Sequence, residues 1–260
     1  MKICILGGGH MGSWLAGALG PRHEISLFDA DPNVLSTLSH GDRLKSLSSI
    51  KDVRPDLLIN AVSLQRTIAA FQEADQYLSE ECVLCDVASV KGELPDYYAQ
   101  SGKRFVSIHP MFGPTFAEMG DLQNENAVII HESDAEGKKF WRESLEHVGV
   151  KVFEYPFAEH DRMMAYSLTL PFVSSLVFSS CVSMRAVPGT TFRKHVEVAS
   201  GLLAEDDYLL TEILFNRESL AQLKKISGRL NHLWHIIDQR DAEEAKRFIA
   251  SLRSNLFPAE

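Results

Sequence analysis

Cysteine is scarce in this chain, and the few cysteines form no arrangement that predicts a metal site or a disulfide framework. The four are Cys4, Cys82, Cys85 and Cys181. Cys82 and Cys85 make a C-x-x-C pair, but the segment ECVLCDV is typical of a buried strand, in which residues three apart point to opposite faces. No second C-x-x-C and no H-x-x-x-H pair completes a zinc set. We therefore expect no metal, and cysteines that act as small apolar core residues in a reducing compartment.

The chain also lacks an excess of positive charge. Asp and Glu number 35 against 26 Lys and Arg, so the formal net charge is -9 at pH 7. Because surfaces that bind nucleic acids are basic overall or in patches, we expect no nucleic-acid partner. The balance is compatible with a small anionic ligand held by a few cations.

Long uninterrupted apolar runs are missing as well. The first residues, MKICILGGG, are interrupted by glycine too early to be a signal peptide. The most apolar long run, residues 166–184, contains several serines and a proline, and we interpret it as a buried helix rather than a membrane span. With no targeting signal, we expect a cytoplasmic protein with no membrane partner.

Short apolar segments alternate with helix-like segments over the first 156 residues, which predicts an α/β fold with a mostly parallel, doubly wound sheet. The early apolar segments show no polar alternation, as expected when helices cover both faces of a sheet. Seven segments predict strands: 2–7, 24–29, 56–62, 82–87, 104–109, 126–131 and 150–155. Four segments between them predict helices, over residues 10–20, 31–40, 63–78 and 134–149.

Helical periodicity replaces the strand pattern from residue 157 onward. We therefore predict two domains, an α/β domain over residues 1–156 and an all-α domain over residues 157–260. The segment 206–238 predicts two helices, or one helix broken near Asn216. Asp241 is a predicted N-cap of the last helix, with Glu244 as its capping-box partner.

The sequence GGGHMG, residues 7–12, contains G-x-G-x-x-G between a predicted strand and a predicted helix. In this context the glycines allow a tight turn and the close approach of a pyrophosphate, and the helix N-terminus supplies amide donors. Asp29 ends the second predicted strand, where a carboxylate binds ribose hydroxyls and disfavours a 2′-phosphate. We predict a Rossmann-type NAD-binding domain with these cofactor-binding residues: Gly7, Gly9, His10, Met11, Gly12, Asp29 and Ser63.

Two further motifs follow later strands of the same predicted sheet, ASVKGEL at residues 88–94 and HPMFGP at residues 109–114. Ligands of open α/β sheets bind beyond the carboxyl ends of the strands. Together with GGGHMG and with EHDRMMAY at residues 159–166, these motifs resemble the prephenate dehydrogenase family, which includes arogenate dehydrogenases. The resemblance covers nearly the whole chain. It implies NAD-dependent oxidative decarboxylation of prephenate to 4-hydroxyphenylpyruvate, a reaction of tyrosine biosynthesis.

The resemblance also implies roles for single residues. His109 is expected to accept a hydrogen bond from the ring hydroxyl of the substrate and to take its proton as hydride leaves, since a neutral imidazole accepts a proton near pH 7. Ser89 is expected to orient His109 through a hydrogen bond. Pro110 and Pro114 stiffen the loop that follows. Arg193, from its position after the long apolar helix, is expected to bind a substrate carboxylate with two parallel hydrogen bonds.

The substrate side shows one departure from the family's pattern. Phe172, in LTLPFVSS, stands where many relatives carry a histidine near the substrate. We expect Phe172 to border the substrate, and the missing polar contact leaves prephenate and arogenate open as alternatives. Lys91 either assists anion binding or is an exposed loop lysine. His160 and Asp161 match the start of the family's helical domain, and we interpret them first as structural or interdomain residues.

Three other functions stay open on the sequence alone, and one of them is a related dehydrogenase that acts on a modified prephenate in specialised metabolism. An arogenate dehydrogenase uses the same catalytic histidine, and a non-catalytic NAD-binding regulatory protein is a role that this fold also supports. The set Ser89, His109 and Arg193 favours an enzyme, because a protein that only binds NAD does not need it. A dehydrogenase of the 3-hydroxyacid type is disfavoured, since residues 157–190 contain no lysine to serve as its catalytic group.

The resemblance finally implies a homodimer that forms through the helical domain. Residues 167–184 are apolar nearly all round, and a helix of that kind needs cover on several sides. A domain of ~100 residues has a limited interior to offer. We therefore expect a second copy of the chain to cover this helix.

Overall fold

The computed structural model describes residues 1–112, 122–123, 125–183, 187–204 and 207–257. The chain divides into two compact units, Met1–Met164 and Ala165–Glu260. The described part of the first unit is α/β and that of the second is helical, which confirms the predicted fold class. The division comes one helix later than the predicted domain boundary after residue 156.

Within the described residues, the first unit is built on an eight-stranded sheet in the order β3-β2-β1-β4-β5-β6-β7-β8. Neighbouring strands are parallel except for β6 and β7, which are antiparallel. The chain winds outward from β1 to β3 and then returns to β4 beside β1, which creates the switch point where such sheets bind ligands. The strands are β1 (Lys2–Leu6), β2 (Glu24–Phe28), β3 (Asp42–Arg43), β4 (Leu57–Asn60), β5 (Val83–Asp86), β6 (Phe105–Pro110), β7 (Asn126–Ile130) and β8 (Lys151–Tyr155).

Helices pack on both faces of this sheet. They are α1 (His10–Leu19), α2 (Pro32–Thr37), α3 (Ile50–Val53), α4 (Leu64–Asp75), α5 (Leu94–Ser101), α6 (Ala135–His147) and α7 (Phe157–Met164). Alternate residues of β1 enter two separate apolar cores: Ile3 and Ile5 lie in one, and Cys4 and Leu6 lie in the other. Because both faces are covered, β1 has no polar alternation in its sequence.

The two cysteines of the C-x-x-C pair lie in different cores, as expected for residues three apart in an extended chain. Cys85 belongs to the core that contains Ile3, and Cys82 belongs to the core that contains Leu6. Both side chains are fully buried and free of disulfides. The pair therefore contributes apolar packing on opposite faces of the sheet.

A π-helical turn, Ala165–Thr169, opens the second unit. The helices that follow are α8 (Leu170–Cys181), α9 (Thr190–Leu203), α10 (Asp207–Leu214), α11 (Ser219–Gln239) and α12 (Ala242–Leu256). Asn216 lies in the break between α10 and α11, which confirms the predicted interruption. The Asp241 carboxylate accepts a hydrogen bond from the Glu244 amide at 2.9 Å, so the predicted N-cap of the last helix is also confirmed.

The apolar helix α8 is only partly covered within one chain. None of its residues is buried, and Val177 is 52% exposed. Because the expectation of a buried helix included cover by a second copy of the chain, it stays a prediction. The helical stretch Phe157–Cys181 is also long and apolar enough to cross a membrane, judged by length and composition only.

Three described elements of the first unit, β3, α3 and α5, are missing from the sequence prediction. The strand β3 consists of two residues, both of which are exposed, and it pairs with β2. It therefore has no apolar pattern in the sequence. The helix α5 is short, but it has start and stop signals: Pro95 lies in its first turn, and Gly102 ends it with a positive φ of 65°. The helix α7 lies in the first unit because the Asp161 carboxylate accepts hydrogen bonds from the Lys91 and Gly92 amides.

Candidate active site

The loop between β1 and α1 has the geometry of a phosphate-binding glycine loop. Gly7 has a φ of 92°, and a Cβ atom there would lie 2.8 Å from the backbone of Ala61. At Gly12 a Cβ would lie 1.9 Å from the Gly7 carbonyl oxygen, so only glycine allows α1 to approach β1 this closely. At Gly9 a Cβ would have open space for 4 Å around it. The three glycines thus form the turn, pack the helix and leave one side of the loop free for a ligand.

The N-terminus of α1 is available to an anion. Gly9 is the N-cap residue of α1, and no side chain of the described residues caps the helix. The first backbone N–H groups of a helix have no partner within it, and the helix dipole makes this end positive. A pyrophosphate at this end would therefore accept backbone hydrogen bonds.

Asp29 holds the glycine loop and borders a cleft beside it. Its Oδ2 accepts a hydrogen bond from the Gly8 amide at 2.7 Å, and its Oδ1 accepts one from the Asp31 amide at 2.8 Å. The cleft has a volume of about 330 Å³. Four of the predicted cofactor-binding residues line it: Gly7, Gly9, Asp29 and Ser63.

The other three predicted cofactor residues do not line this cleft. His10 is exposed at the start of α1. Met11 packs against the apolar core, and Gly12 is buried under the glycine loop. The structure therefore assigns Met11 and Gly12 to packing of the loop and helix.

Among the residues that line the same cleft, sequence reasoning missed two charged ones, Arg66 and Glu73. Both belong to α4, and their side chains form an ion pair at 3.1 Å on the surface. Because both residues are far from the glycine motif in the sequence, their place beside the glycine loop could not be predicted from that motif. A helix that follows the strand next to β1 was the available signal, because its first turns face the same edge of the sheet.

His109 lies near the end of β6, at the carboxyl edge that β1, β4, β5 and β6 share. The side chain is buried, with 4% of the residue exposed. Burial lowers the pKa of His109 well below its usual value, and the charges of His160 and Lys91 lower it further. The imidazole is therefore neutral at pH 7 and can accept a proton.

The loop after His109 packs against the nucleotide-side helix. Phe112 is buried and makes an edge-to-face contact with Trp14 of α1, with ring centroids 5.2 Å apart. This contact fixes the loop that carries His109 to the helix that begins with the glycine loop. Gly113 and Pro114, the rest of the HPMFGP motif, lie outside the described residues.

His160 and Asp161, from α7, extend a series of hydrogen-bonded side chains that begins at His109. The His109 Nδ1 lies 3.2 Å from the His160 Nε2, and the His160 Nδ1 lies 2.8 Å from the Asp161 Oδ1. The Asp161 carboxylate also accepts hydrogen bonds from the amides of Lys91 at 2.8 Å and Gly92 at 2.9 Å. The structure thus joins the HD pair of EHDRM to the HPMFGP histidine. The long range of these contacts is the reason that the sequence did not assign them.

The pKa values in this chain of groups follow from burial and hydrogen bonding. Burial lowers the pKa of His160, although its hydrogen bond to Asp161 opposes that shift. Burial alone would raise the pKa of Asp161, but the hydrogen bonds from His160, Lys91 and Gly92 outweigh it and the pKa lies below its usual value. At neutral pH the arrangement is therefore a carboxylate followed by two neutral imidazoles.

Lys91 has a different position from the one that the sequence suggested. Its ammonium group is buried, 2.7 Å from the Asp86 Oδ1 and 2.7 Å from the Ile108 carbonyl oxygen. The Tyr98 hydroxyl donates to the Asp86 Oδ2 at 2.8 Å. Because its hydrogen bonds go to interior oxygens, Lys91 does not reach outward to a substrate, and both earlier interpretations are corrected. It instead ties the end of β5 to the end of β6 beside His109.

Ser89 is half-buried in the loop after β5. Among the described residues, the His109 ring has His160 as its hydrogen-bond partner, and the predicted bond from Ser89 is not formed. The nearby loop instead contributes through the Lys91 side chain and the Lys91 and Gly92 amides. Ser89 stays a predicted site residue by its place in the motif alone.

Arg193 and Phe172 lie in the second unit. Arg193 is exposed in the first turn of α9, and Phe172 is half-buried in the first turn of α8. Both remain predicted substrate-binding residues.

Comparisons with known proteins agree with this architecture. Residues 16–154, more than half of the chain, match the family described as "Prephenate dehydrogenase, nucleotide-binding domain". The T-protein of Enterobacter agglomerans is 25% identical over 204 residues, which cover 69% of this chain and 54% of that protein. The probable arogenate/prephenate dehydrogenase of Methanocaldococcus jannaschii is 22% identical over 205 residues, 72% of this chain and 45% of that protein. The chain thus spans about half the length of these curated relatives.

Solved structures share the fold over the whole chain. Prephenate dehydrogenase from Aquifex aeolicus, in complex with hydroxyphenyl propionate and NAD+, has a TM-score of 0.83 at 20% identity and covers 98% of this chain and 96% of its own. Synechocystis arogenate dehydrogenase has a TM-score of 0.75 at 22% identity and covers 98% of both chains. At these identities the likeness establishes the fold.

Proposed function

Because the chain belongs to the prephenate dehydrogenase family, we propose that it is an NAD-dependent dehydrogenase that converts prephenate to 4-hydroxyphenylpyruvate by oxidative decarboxylation. The observation that carries this proposal is the buried, neutral His109 at the carboxyl edge of a nucleotide-binding sheet. A protein that only binds NAD has no need for a proton acceptor there. The reaction places the protein in tyrosine biosynthesis.

The residues of the glycine loop fit NAD. Gly9 and the uncapped start of α1 leave room and amide donors for the pyrophosphate, and Asp29 borders the adjacent cleft with its carboxylate. Gly7 and Ser63 line the same cleft. When bound, NAD+ supplies the acceptor for the hydride that leaves the hydroxyl-bearing carbon of the substrate ring.

His109 carries the proton step of the proposed reaction. As hydride leaves, the ring hydroxyl becomes acidic, and the unprotonated nitrogen of His109 takes its proton. The bond between the ring and its carboxylate then breaks, carbon dioxide leaves, and the bonding electrons enter the ring. The ring oxygen regains a proton from His109, so the product is a phenol and the histidine is again neutral.

Binding of the substrate carboxylates is assigned to Arg193, whose guanidinium suits bidentate recognition. Phe172 is proposed to border the far end of the substrate. An apolar residue at this place keeps arogenate as a second candidate substrate, in which an ammonium group replaces the keto group. A carboxylate near Phe172 in the assembled enzyme would favour arogenate.

The proposal is tested by following NADH formation with prephenate and with arogenate, each in the presence of NAD+ and of NADP+. We expect turnover of prephenate with NAD+. Faster turnover of arogenate would move the assignment to the second candidate. Binding of NAD+ without turnover of either substrate would contradict the enzyme assignment and support a regulatory NAD-binding protein.

We expect Asp29→Asn to weaken the preference for NAD+. Asparagine keeps an acceptor for the Gly8 amide but removes the charge that repels a 2′-phosphate. The ratio of kcat/KM for NADP+ to that for NAD+ should rise about fivefold or more, because removing the repulsion is worth ~1–4 kcal/mol at contact distance. Asp31→Asn is the matched control, since it removes the same charge two residues away and keeps the cap of α2. An unchanged ratio for Asp29→Asn would show that Asp29 does not select the cofactor.

The pH dependence of the reaction should reflect the lowered pKa of His109. A base works in its unprotonated form, so kcat/KM should fall only when the pH drops below the pKa of His109, which lies well below 6.5. The groups that face His109 are His160 on α7 and Lys91 after β5, and a positive charge on either of them lowers the pKa of His109. Measurement of kcat/KM across the acid range checks this. An acid limb centred above 6.5 would contradict the assignment of His109 in its buried environment.

The dimer and the cellular location are parts of the same proposal. An apolar surface is formed by the partly exposed helix α8 and by the exposed Trp234 and Ile237 of α11. This surface suits a second copy of the chain better than a membrane, because the helical stretch that contains α8 also contains His160 and Asp161, which form buried polar contacts. The buried free cysteines suit a cytoplasmic compartment. Light scattering of the purified chain should give twice the mass of one chain, and a monomer would contradict the dimer.

A further inference from the structure

The hydrogen-bonded chain Asp161–His160–His109 is not used by the reaction as described above. Its polar groups are nevertheless well satisfied: His160 is fully buried, and the Asp161 carboxylate accepts hydrogen bonds from the His160 ring and from two backbone amides. Buried polar groups are costly unless they are satisfied, so a connected arrangement of this kind beside a catalytic base calls for a chemical reason.

The proton positions in this chain follow from its carboxylate end. An ionised carboxylate only accepts hydrogen bonds, so the His160 Nδ1, at 2.8 Å, must carry a hydrogen and donate it. A neutral His160 then has an unprotonated Nε2, which only accepts. The His109 Nδ1, 3.2 Å away, must therefore be the donor. This leaves the lone pair of His109 on Nε2.

From this geometry we propose that His160 and Asp161 are positioning residues, which fix His109 in the tautomer with hydrogen on Nδ1 and so present Nε2 as the base to the substrate. The inference rests on the proposed function for the identity of the proton that Nε2 receives. The assignment of the tautomer itself follows from the hydrogen bonds and does not depend on the proposed function. Without the two partners, the neutral ring would be free to carry its hydrogen on Nε2, where it cannot accept a proton.

The same series of hydrogen-bonded groups stabilises the positive charge that forms on the His109 ring during the reaction. When the Nε2 of His109 takes the hydroxyl proton, the ring becomes an imidazolium whose Nδ1–H still donates to His160. The His160 Nδ1–H still donates to the Asp161 carboxylate, so a negative charge lies two hydrogen bonds from the new positive charge. No proton is lost from the chain, and the proton on Nε2 returns to the product oxygen.

Three variants test this inference. Asp161→Asn places an amide, which can donate, next to the His160 Nδ1 and so allows the hydrogens of both rings to shift. His160→Leu removes the acceptor for the His109 Nδ1, and His160→Gln keeps an acceptor oxygen of similar reach.

We expect kcat to fall about 10²-fold or more in Asp161→Asn and His160→Leu, with KM little changed, as when a catalytic histidine loses its tautomer-setting partner. His160→Gln should recover a substantial part of the loss. Asp96→Asn, an exposed aspartate of α5, is the matched control and should keep wild-type kcat.

The tautomer is measured directly by 15N NMR of the histidine rings in the NAD-bound enzyme, with the His109 signal assigned from its absence in His109→Asn. We expect hydrogen on Nδ1 and an unprotonated Nε2 in the wild type, and a shifted population in Asp161→Asn. Hydrogen on Nε2 in the wild type would overturn the inference, as would equal kcat losses in His160→Gln and His160→Leu. If neither substrate turns over, the proposed function fails, and the NMR result still decides the tautomer.

Discussion

The variant His109→Asn should lose ~10²–10⁴-fold in kcat, the contribution of a well-placed general base. Asparagine is close to histidine in size and retains a hydrogen-bonding group, but it cannot take a proton near pH 7. The KM for the substrate and the affinity for NAD+ should change little, because the glycine loop and Arg193 are intact. Steady-state kinetics and an NAD+-binding titration measure these quantities separately.

A matched control is available in the same unit. His131 is 69% exposed on its side chain at the end of β7, and His131→Asn should leave kcat unchanged. A His109→Asn variant that keeps full kcat would remove His109 from the proton step and leave the family assignment as it is. A variant that loses NAD+ binding instead would indicate a structural role for the His109 ring.

The variant Lys91→Met should destabilise the first unit by about 3–5 kcal/mol, since it breaks a buried ion pair and leaves one charge behind. Lys91 and Asp86 are almost completely buried, with their charged atoms 2.7 Å apart. Methionine has a similar length, so the loss is electrostatic rather than a loss of volume. Denaturant unfolding of the purified chain measures the change in free energy.

Two further variants separate the ion pair from packing. Lys139→Met removes a lysine whose side chain is 77% exposed and paired with Glu143 at 3.9 Å, and it should change stability by less than about 1 kcal/mol. The double variant Asp86→Asn with Lys91→Met should lose less than the sum of the two single variants, because the unpaired charge is gone. Additive losses, or a small loss in Lys91→Met, would contradict a stabilising interaction between these two residues.

Much of the first unit could be predicted because its pattern is local. In a strand such as β1 the residues after Lys2 are buried on both faces and all of them are apolar, and the sequence shows this directly. The glycine loop could be predicted for a similar reason: the steric demands at Gly7 and Gly12 leave no other residue type possible. In both cases a single short segment contains the whole physical constraint.

The surroundings of His109 could not be predicted, because they depend on residues far apart in the chain. His160 is 51 positions from His109, and Asp161 is 70 positions from Lys91. The motif EHDRM gave no sign of which unit it would join. For Lys91 the sequence left two alternatives, an anion-binding residue or an exposed loop lysine. Lysine is rarely buried, and its burial here requires Asp86 and the Ile108 carbonyl group at the ends of two neighbouring strands.

The most direct test of the account measures NADH and carbon dioxide together in one reaction of the wild-type enzyme with prephenate labelled in its ring carboxylate. An oxidative decarboxylation with His109 as proton acceptor predicts equal amounts of the two products, and both rates should fall together in His109→Asn. Formation of NADH without carbon dioxide, or no formation of either with prephenate or arogenate, would contradict the account.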